Sequence, residues 1–364
     1  MRNFAAQDAR FRDAFEILKT AIAACAFPAC ALSVVLGGEL IAHKMLGRFT
    51  YDPNSCAVDA GSLFDLASLT KIVGTTAMAM ILYERGLLDL EAPVAVIVPE
   101  FATGSDHDGA RREVTLRMLL AHSSGLPAYE KHFLRTQTRD ALLNAAFTTP
   151  FAAAPGTRAE YSDIGFIILS IVLERLADEP LDVFCQREIF GPLGMTHTTF
   201  NPTSALRSSV VPSADDHNFR HRVIQGEVQD ENASILGGVA GHAGLFSTAE
   251  DLAIFAHSIL NGGRPILRSD TVELFSRRGT VPDGTSRALG WDTPSAPSQS
   301  GKYFSPRSFG HLGYTGTSLW IDPDRQLAIS LLTNRTWPDC QNQAIKQVRP
   351  AFHDAVIEAL ETRS

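Results

Sequence analysis

Two apolar hairpins stand at opposite ends of this chain, and any fold it adopts must dispose of both. ALSVVLGGELIAHKMLG (31–47) sets two β-prone runs on either side of Gly37-Gly38, a hairpin signal. SLWIDPDRQLAISLLTN (318–334) repeats the pattern around Asp322-Pro323-Asp324. Phe11, Phe15, Leu18, Ile22 and Cys25 recur at helical spacing before the first hairpin. A helix over roughly 341–361 follows the second. The ends therefore read helix-strand-strand and strand-strand-helix. Such segments pair naturally into one antiparallel sheet covered by helices, so the expected class is α/β in the α+β sense.

Between the hairpins the periodicity changes. From about 91 to 235 it is mostly helical, interrupted at Pro127, Pro150, Pro155-Gly156 and Gly191-Pro192. This predicts a sheet domain built from 1–90 and 236–364, with a mostly helical lobe, 91–235, inserted into it and an active site in the cleft between them. Residues 204–231 and 292–308 are polar and irregular, and are expected to be long surface loops of the kind that border active sites.

The chain of 364 residues suits one large domain or two lobes. Its formal net charge of -8 argues against nucleic-acid or anionic-membrane partners, which call for a basic patch. Cys25, Cys30, Cys56, Cys185 and Cys340 are scattered, odd in number and without CxxC spacing, so they read as buried free thiols of a reducing compartment. Charges at Asp8, Arg10, Arg12, Asp13 and Glu16 interrupt the N-terminal segment, and no stretch approaches the ~18 apolar residues of a membrane span. A cytoplasmic location is the corresponding expectation.

Three short segments carry chemistry. Ser68-Leu69-Thr70-Lys71 opens a strongly helical stretch in which Leu69, Ile72, Val73, Thr76, Ala77, Met80 and Ile81 are apolar or small at helical spacing and Gly86 supplies a stop. A serine and a lysine three apart share a helix face. The serine sits in the first turn, near the positive end of the dipole, and a lysine with a depressed pKa can take its proton. Read alone, the same serine is an N-cap. Tyr161, in Ala159-Glu160-Tyr161-Ser162-Asp163, precedes the apolar helix FIILSIVLERLA. At a helix N-terminus its phenolate is favoured, and beside an ammonium it relays protons. The alternative is a tyrosine capping the core. Phe309-Gly310-His311-Leu312-Gly313-Tyr314-Thr315-Gly316 lies just before the second hairpin. Its glycines let a strand edge approach a substrate, where a backbone N–H can pair with that of Ser68 around an oxyanion, unless the segment is simply a turn.

The order Ser-x-x-Lys, Tyr-Ser-Asp, His-Leu-Gly resembles the three motifs of the serine β-lactamase and penicillin-binding proteins, nearest to the class C branch with its carboxypeptidases, D-amino-acid peptidases, muropeptide amidases and family VIII carboxylesterases. LLAHSSGLP (119–127), PGTRAEYSDIG (155–165), LGGVAGHAGLFSTAEDLAIFA (236–256) and GTSLWIDPDRQLAISLLTN (316–334) agree with it, and the resemblance runs from about residue 28 to the C-terminus. It implies the serine β-lactamase/transpeptidase-like fold and no metal or organic cofactor. It makes Ser68 the acylated nucleophile and Lys71 the group that shares its proton. Tyr161 activates Ser68, protonates the leaving group and later activates water. The N–H groups of Ser68 and Tyr314 form the oxyanion hole, and Asp163, His311, Gly313 and His242 line the substrate site.

Two departures from the family pattern bear on specificity. Asp163 stands where an Asn is usual, which is expected to raise the Lys71 pKa, shift the proton burden to Tyr161 and remove an amide donor. His311 stands where a Lys is usual and is only partly charged at neutral pH, so it holds a carboxylate less firmly. His122 is read as a loop-orienting residue rather than half of a Ser-His pair. His217 and His221, with Asp215, Asp216, Asp230 and Glu231 nearby, fit no standard metal spacing. The reading is a serine hydrolase of small ester or amide substrates. The alternatives are a cell-wall peptide enzyme, a true β-lactamase, or a non-catalytic binding module on the same fold. Oligomeric state is not legible.

Overall fold

The computed structural model describes residue 4, residues 6–103 and residues 108–361. The two hairpins form strands β1 (Ala29–Leu36) and β2 (Glu39–Gly47), and, after β3 (Phe309–Leu312), strands β4 (Ser318–Asp322) and β5 (Leu327–Thr333). They make one antiparallel sheet in the order β2-β1-β5-β4-β3. The first and last hairpins meet along β1 and β5, where Cys30 pairs with Thr333 and Leu36 with Leu327. Leu36 faces Glu39 across Gly37 and Gly38, whose φ of 57° and 83° suit a two-residue turn.

Both faces of the sheet are covered. Helices α1 (Arg12–Ala23) and α5 (Ile345–Glu361) pack on one face, where Phe15, Leu18, Leu32, Trp320, Ile329 and Phe352 are buried together. Helix α4 (Ala249–Leu260) covers the other. Two-sided burial explains why β5 reads as a continuous apolar run. Its one polar member in mid-strand, Ser330, is matched by Ser33 on β1, with hydroxyls 2.6 Å apart. The apolar stripe of α1 ends earlier than expected: Cys25 is exposed, as are Cys56 and Cys340, while Cys30 and Cys185 are buried.

The stretch after Ser68 departs from a plain α-helix. A 3₁₀ turn (Ala67–Leu69) runs into a π-helical segment (Lys71–Thr76) and only then into α2 (Ala77–Glu84). All of Leu69 to Leu82 is buried, so this helix has no solvent face. Helix α3 (Asp163–Ala177), likewise almost wholly buried over its first eleven residues, starts at an N-cap, Ser162, whose hydroxyl accepts from the Gly165 amide at 3.0 Å.

Of the two segments expected to be surface loops, 292–308 is irregular and in part exposed, as expected, whereas 204–231 carries regular structure and buried apolar residues. Within 204–231 a small hairpin pairs Ala214–Asp216 with Arg222–Ile224, and Val210, Val211, Ile224 and Val228 are buried. The polar residues there satisfy one another: Arg220 donates to Asp216 and to the carbonyls of Val228 and Gln229. Polarity looked like solvation but is spent on internal hydrogen bonds. In 292–308 the same holds for Ser305, whose amide and hydroxyl both bind the buried Asp322 carboxylate. Among the described residues no helix is long and apolar enough to cross a membrane.

Candidate active site

Ser68 is delivered by an unusual backbone. Ala67, just before it, has φ 47°, a left-handed conformation costly for a residue with a Cβ. The buried Asp65 carboxylate holds that turn by accepting from the Ala67 amide at 2.8 Å and the Gln229 amide at 2.6 Å. The loop before β4 is lashed to the same segment: the hydroxyls of Thr315 and Thr317 donate to the carbonyls of Asp65 and Leu66. Gly313 is required there, since a Cβ would lie 1.9 Å from the Thr317 hydroxyl and 2.6 Å from the Leu66 carbonyl. These ties bring the backbone of Tyr314 toward Ser68. Neither the Ser68 nor the Tyr314 amide has an acceptor among the described residues, leaving both N–H groups free to bind an oxyanion.

Four side chains converge. Lys71 donates to Ser68 Oγ at 3.1 Å, to Asp163 Oδ1 at 2.6 Å and to the His242 carbonyl at 3.1 Å. The Tyr161 hydroxyl lies 2.7 Å from Ser68 Oγ and 2.9 Å from Asp163 Oδ1, and donates its single proton to one of them at a time. Local sequence sets Tyr161 and Asp163: they flank the N-cap Ser162. The loop behind them is fixed by His122, whose Nδ1 accepts from the Ser162 amide at 3.0 Å and whose ring stacks on Phe166.

The electrostatics reverse the sequence expectation. Burial lowers the Lys71 pKa below its ordinary value, and the attraction of Asp163 recovers only part of the loss. Tyr161 is pushed well above 10, by burial first and by Asp163 second. Lys71 is thus the readier proton acceptor and Tyr161 holds its proton. Helix-dipole stabilisation of a phenolate does not win against burial and a carboxylate 2.9 Å from the hydroxyl.

Of the residues read as substrate-facing, His242 turns its ring away to Asp230, with Nε2 donating to the carboxylate at 2.9 Å; its carbonyl is what reaches Lys71. Asp163 is held between Lys71 and Tyr161. His311 is buried, 5.8 Å from the Tyr161 ring centroid. Its Nδ1 lies 2.7 Å from the Leu312 carbonyl, which only accepts, so Nδ1 carries the proton. Nε2 is then a bare acceptor, buried and without a partner among the described residues. Burial, then Lys71 and Arg287, hold the His311 pKa well below 6.5, so the ring is neutral rather than half charged.

Sequence reading missed two members of this constellation. Asp230 caps Glu231–Ile235 and anchors His242. Arg287 lies with its guanidinium 5.5 Å from the Tyr161 ring centroid. Neither belongs to a motif; only its place as the charge before an uncharged run, Ala288-Leu289-Gly290-Trp291, singles out Arg287 in the sequence. Among the described residues no group of three or more His, Cys, Asp or Glu side chains is placed to hold a metal ion. The arrangement offers an activated hydroxyl, a buried amine, a neutral phenol and two free amides, the parts needed for acyl transfer.

Comparison with known proteins agrees with that chemistry. The family model described as Beta-lactamase matches residues 14–349. A putative D-alanyl-D-alanine carboxypeptidase of Escherichia coli (strain K12) is 30% identical over 344 residues, covering 85% of this chain and 79% of its own. An N-acetylmuramyl-L-alanine amidase of Bacillus subtilis (strain 168) is 32% identical over 351 residues, covering 86% and 78%. Among solved structures, EstCE1, a hydrolase with promiscuous acyltransferase activity, superposes with a TM-score of 0.78 at 20% identity over 96% of this chain and 99% of that one, a likeness of fold.

Proposed function

The chain belongs to the beta-lactamase family and is a serine hydrolase of that class, acting on ester or amide bonds; we propose that Ser68 is its nucleophile and that small esters and amides are its substrates. The observation that carries this reading is the Ser68 hydroxyl held at once by Lys71 and Tyr161, at 3.1 and 2.7 Å.

In this reading Ser68 Oγ attacks the carbonyl as its proton passes to Lys71. The developing oxyanion is met by the amides of Ser68 and Tyr314. Tyr161, still protonated, donates to the leaving oxygen or nitrogen and regains a proton from Lys71, so the serine proton ends on the leaving group. The acyl-enzyme is hydrolysed by the reverse path, with water in place of the leaving group. Asp163 keeps the Lys71 amine aligned. It also puts a carboxylate where an amide donor would hold an acylamino group, which favours simple acyl substrates. A fluorophosphonate should add once to the protein, on the peptide containing Ser68, as read by intact and peptide mass. A panel of p-nitrophenyl acetate and butyrate, nitrocefin, a D-Ala-D-Ala peptide and a muropeptide then ranks substrates. Labelling elsewhere sinks the Ser68 assignment.

A cell-wall peptide substrate is the second reading, favoured by the carboxypeptidase and amidase among the relatives. Turnover of the muropeptide without turnover of the esters would select it.

The neutral state of His311 has its own test. Charging it would set a cation against Tyr161, beside Arg287 and the Lys71 amine and near the equally buried and uncharged His122. Lowering the pH from 8 to 6 should therefore leave the ratio of kcat/KM for nitrocefin over p-nitrophenyl butyrate unchanged. A rise in that ratio as pH falls would show that His311 takes up a proton and reads the β-lactam carboxylate.

A further inference from the structure

Of the three acceptors of Lys71, only the His242 carbonyl lies outside the Ser-x-x-Lys and Tyr-Ser-Asp segments. It comes from the glycine-rich stretch 237–245, which runs against the π-helical segment Lys71–Thr76 and lends it two consecutive carbonyls. That of Gly241 accepts from the Thr75 hydroxyl at 2.7 Å, and that of His242 from the Lys71 amine at 3.1 Å. Glycine permits this approach: a Cβ on Gly241 would lie 2.3 Å from the Phe166 carbonyl of α3. At the end of the stretch the Leu245 amide donates to the Thr70 hydroxyl at 3.1 Å. Flanked by Gly241 and, one residue on, Gly244, the His242 peptide would be free to rotate unless its side chain were held.

It is held. The His242 ring, 1% exposed, donates to Asp230 Oδ1 at 2.9 Å, and the same oxygen accepts the Ala233 amide at 2.7 Å. The short helix Glu231–Ile235 thus fixes Asp230, Asp230 fixes the ring, and the ring fixes the carbonyl that reaches Lys71. A carboxylate only accepts, so Nε2 carries the ring proton. Nδ1 is buried without a partner among the described residues, so a second proton there would find no acceptor. The pair therefore keeps the single negative charge of the carboxylate. Burial opposes that charge, yet His242, the Ala233 amide and Lys71 together hold the Asp230 carboxyl below its ordinary value. The groups whose charges bear on Lys71 are Asp163 and Tyr161 at the start of α3, His122, His311, Arg287, and Asp230 behind His242. Burial lowers its proton affinity most, Asp163 and then Asp230 restore part of it, and Arg287 lowers it further.

We propose that Asp230 and His242 are positioning residues for Lys71: their hydrogen bond aims the His242 carbonyl at the amine, and their single negative charge helps Lys71 hold the proton it takes from Ser68. This rests on Lys71 being the acceptor of the Ser68 proton. Neither side chain reaches the reacting atoms. The pair acts through one backbone carbonyl and through its charge.

The test is the pH profile of kcat/KM for p-nitrophenyl butyrate, whose acid limb reports the free enzyme's essential base. Asp230→Asn keeps an acceptor for His242 and removes the charge. The protonated amine is then less favoured, so the acid limb should move to lower pH. Asp13→Asn, which removes the same charge at the exposed start of α1, should leave the limb in place. His242→Leu keeps bulk but loses the donor to Asp230, and should lower kcat/KM on the order of 10²-fold, as a misplaced group does. His242→Gln, whose amide can still donate to Asp230, should recover most of that loss. A folded Asp230→Asn protein with the wild-type limb, or with one moved to higher pH, overturns the proposal, and so does an equal shift in Asp13→Asn. A His242→Leu protein of native circular dichroism and wild-type kcat/KM overturns it too, as does a folded His242→Gln protein no better than the leucine variant. Should the asparagine variant at 230 fail to fold, the two His242 variants decide in the same terms. Turnover of the ester by Ser68→Ala would instead refute the assignment of the nucleophile.

Discussion

Ser68→Ala is expected to abolish hydrolysis of every ester and amide and to remove all fluorophosphonate labelling. Removing the nucleophile of a triad hydrolase costs on the order of 10⁶ in kcat, and only the binding and oxyanion contributions, roughly 10³ to 10⁴ over water, survive. The loss should be chemical, not structural. Lys71 keeps two of its three acceptors, Asp163 and the His242 carbonyl, so its buried amine stays paired. Deleting one partly exposed hydroxyl then costs about 1 kcal/mol of stability. Thermal melting beside single-turnover acylation separates the two, and acylation of the alanine variant on another serine would refute the assignment.

Tyr161→Phe is expected to cost on the order of 10² to 10⁴ in kcat, the range for a positioned acid or base. The phenyl ring can keep its place between His122, at 4.9 Å, and Lys71, at 4.8 Å, while Asp163 and Ser68 retain Lys71. Because burial and Asp163 keep the phenol protonated, its main service is to protonate the leaving group. Alkyl esters and amides, which need that proton, should therefore lose more than p-nitrophenyl esters, whose phenolate leaves without one. Equal losses for both would point to Tyr161 as the base for Ser68. A nearly normal Tyr161→Phe enzyme beside a folded but inert His122→Ala would mean that a Ser-His pair operates.

Local sequence determined more of this protein than its low overall regularity suggests. The two hairpins are written in apolar runs around Gly37-Gly38 and around Asp322-Pro323-Asp324, and the sheet forms from them in antiparallel register. Ser68 and Lys71 meet because three residues of helical backbone span one turn, and Tyr161 and Asp163 because they flank one N-cap. Each of these is a short-range property, decided by spacing and by turn chemistry.

Tertiary structure decided what depends on burial and on long-range approach. It widened the helix after Lys71 into a π-helical segment, where Thr75 donates to the Gly241 carbonyl and Lys71 to that of His242. It folded 204–231 inward, because Arg220 and Asp216 satisfy each other inside it. It set the direction of every proton: an amine at 0% exposure is easier to deprotonate whatever its sequence neighbours, and a phenol beside a carboxylate is harder. It also carried Arg287 to within 5.5 Å of the Tyr161 ring centroid from a segment with no motif. Spacing along a chain fixes which groups share a turn. Only the packed core fixes how much water each group loses and which distant charge it faces, and those two quantities set the chemistry of this site.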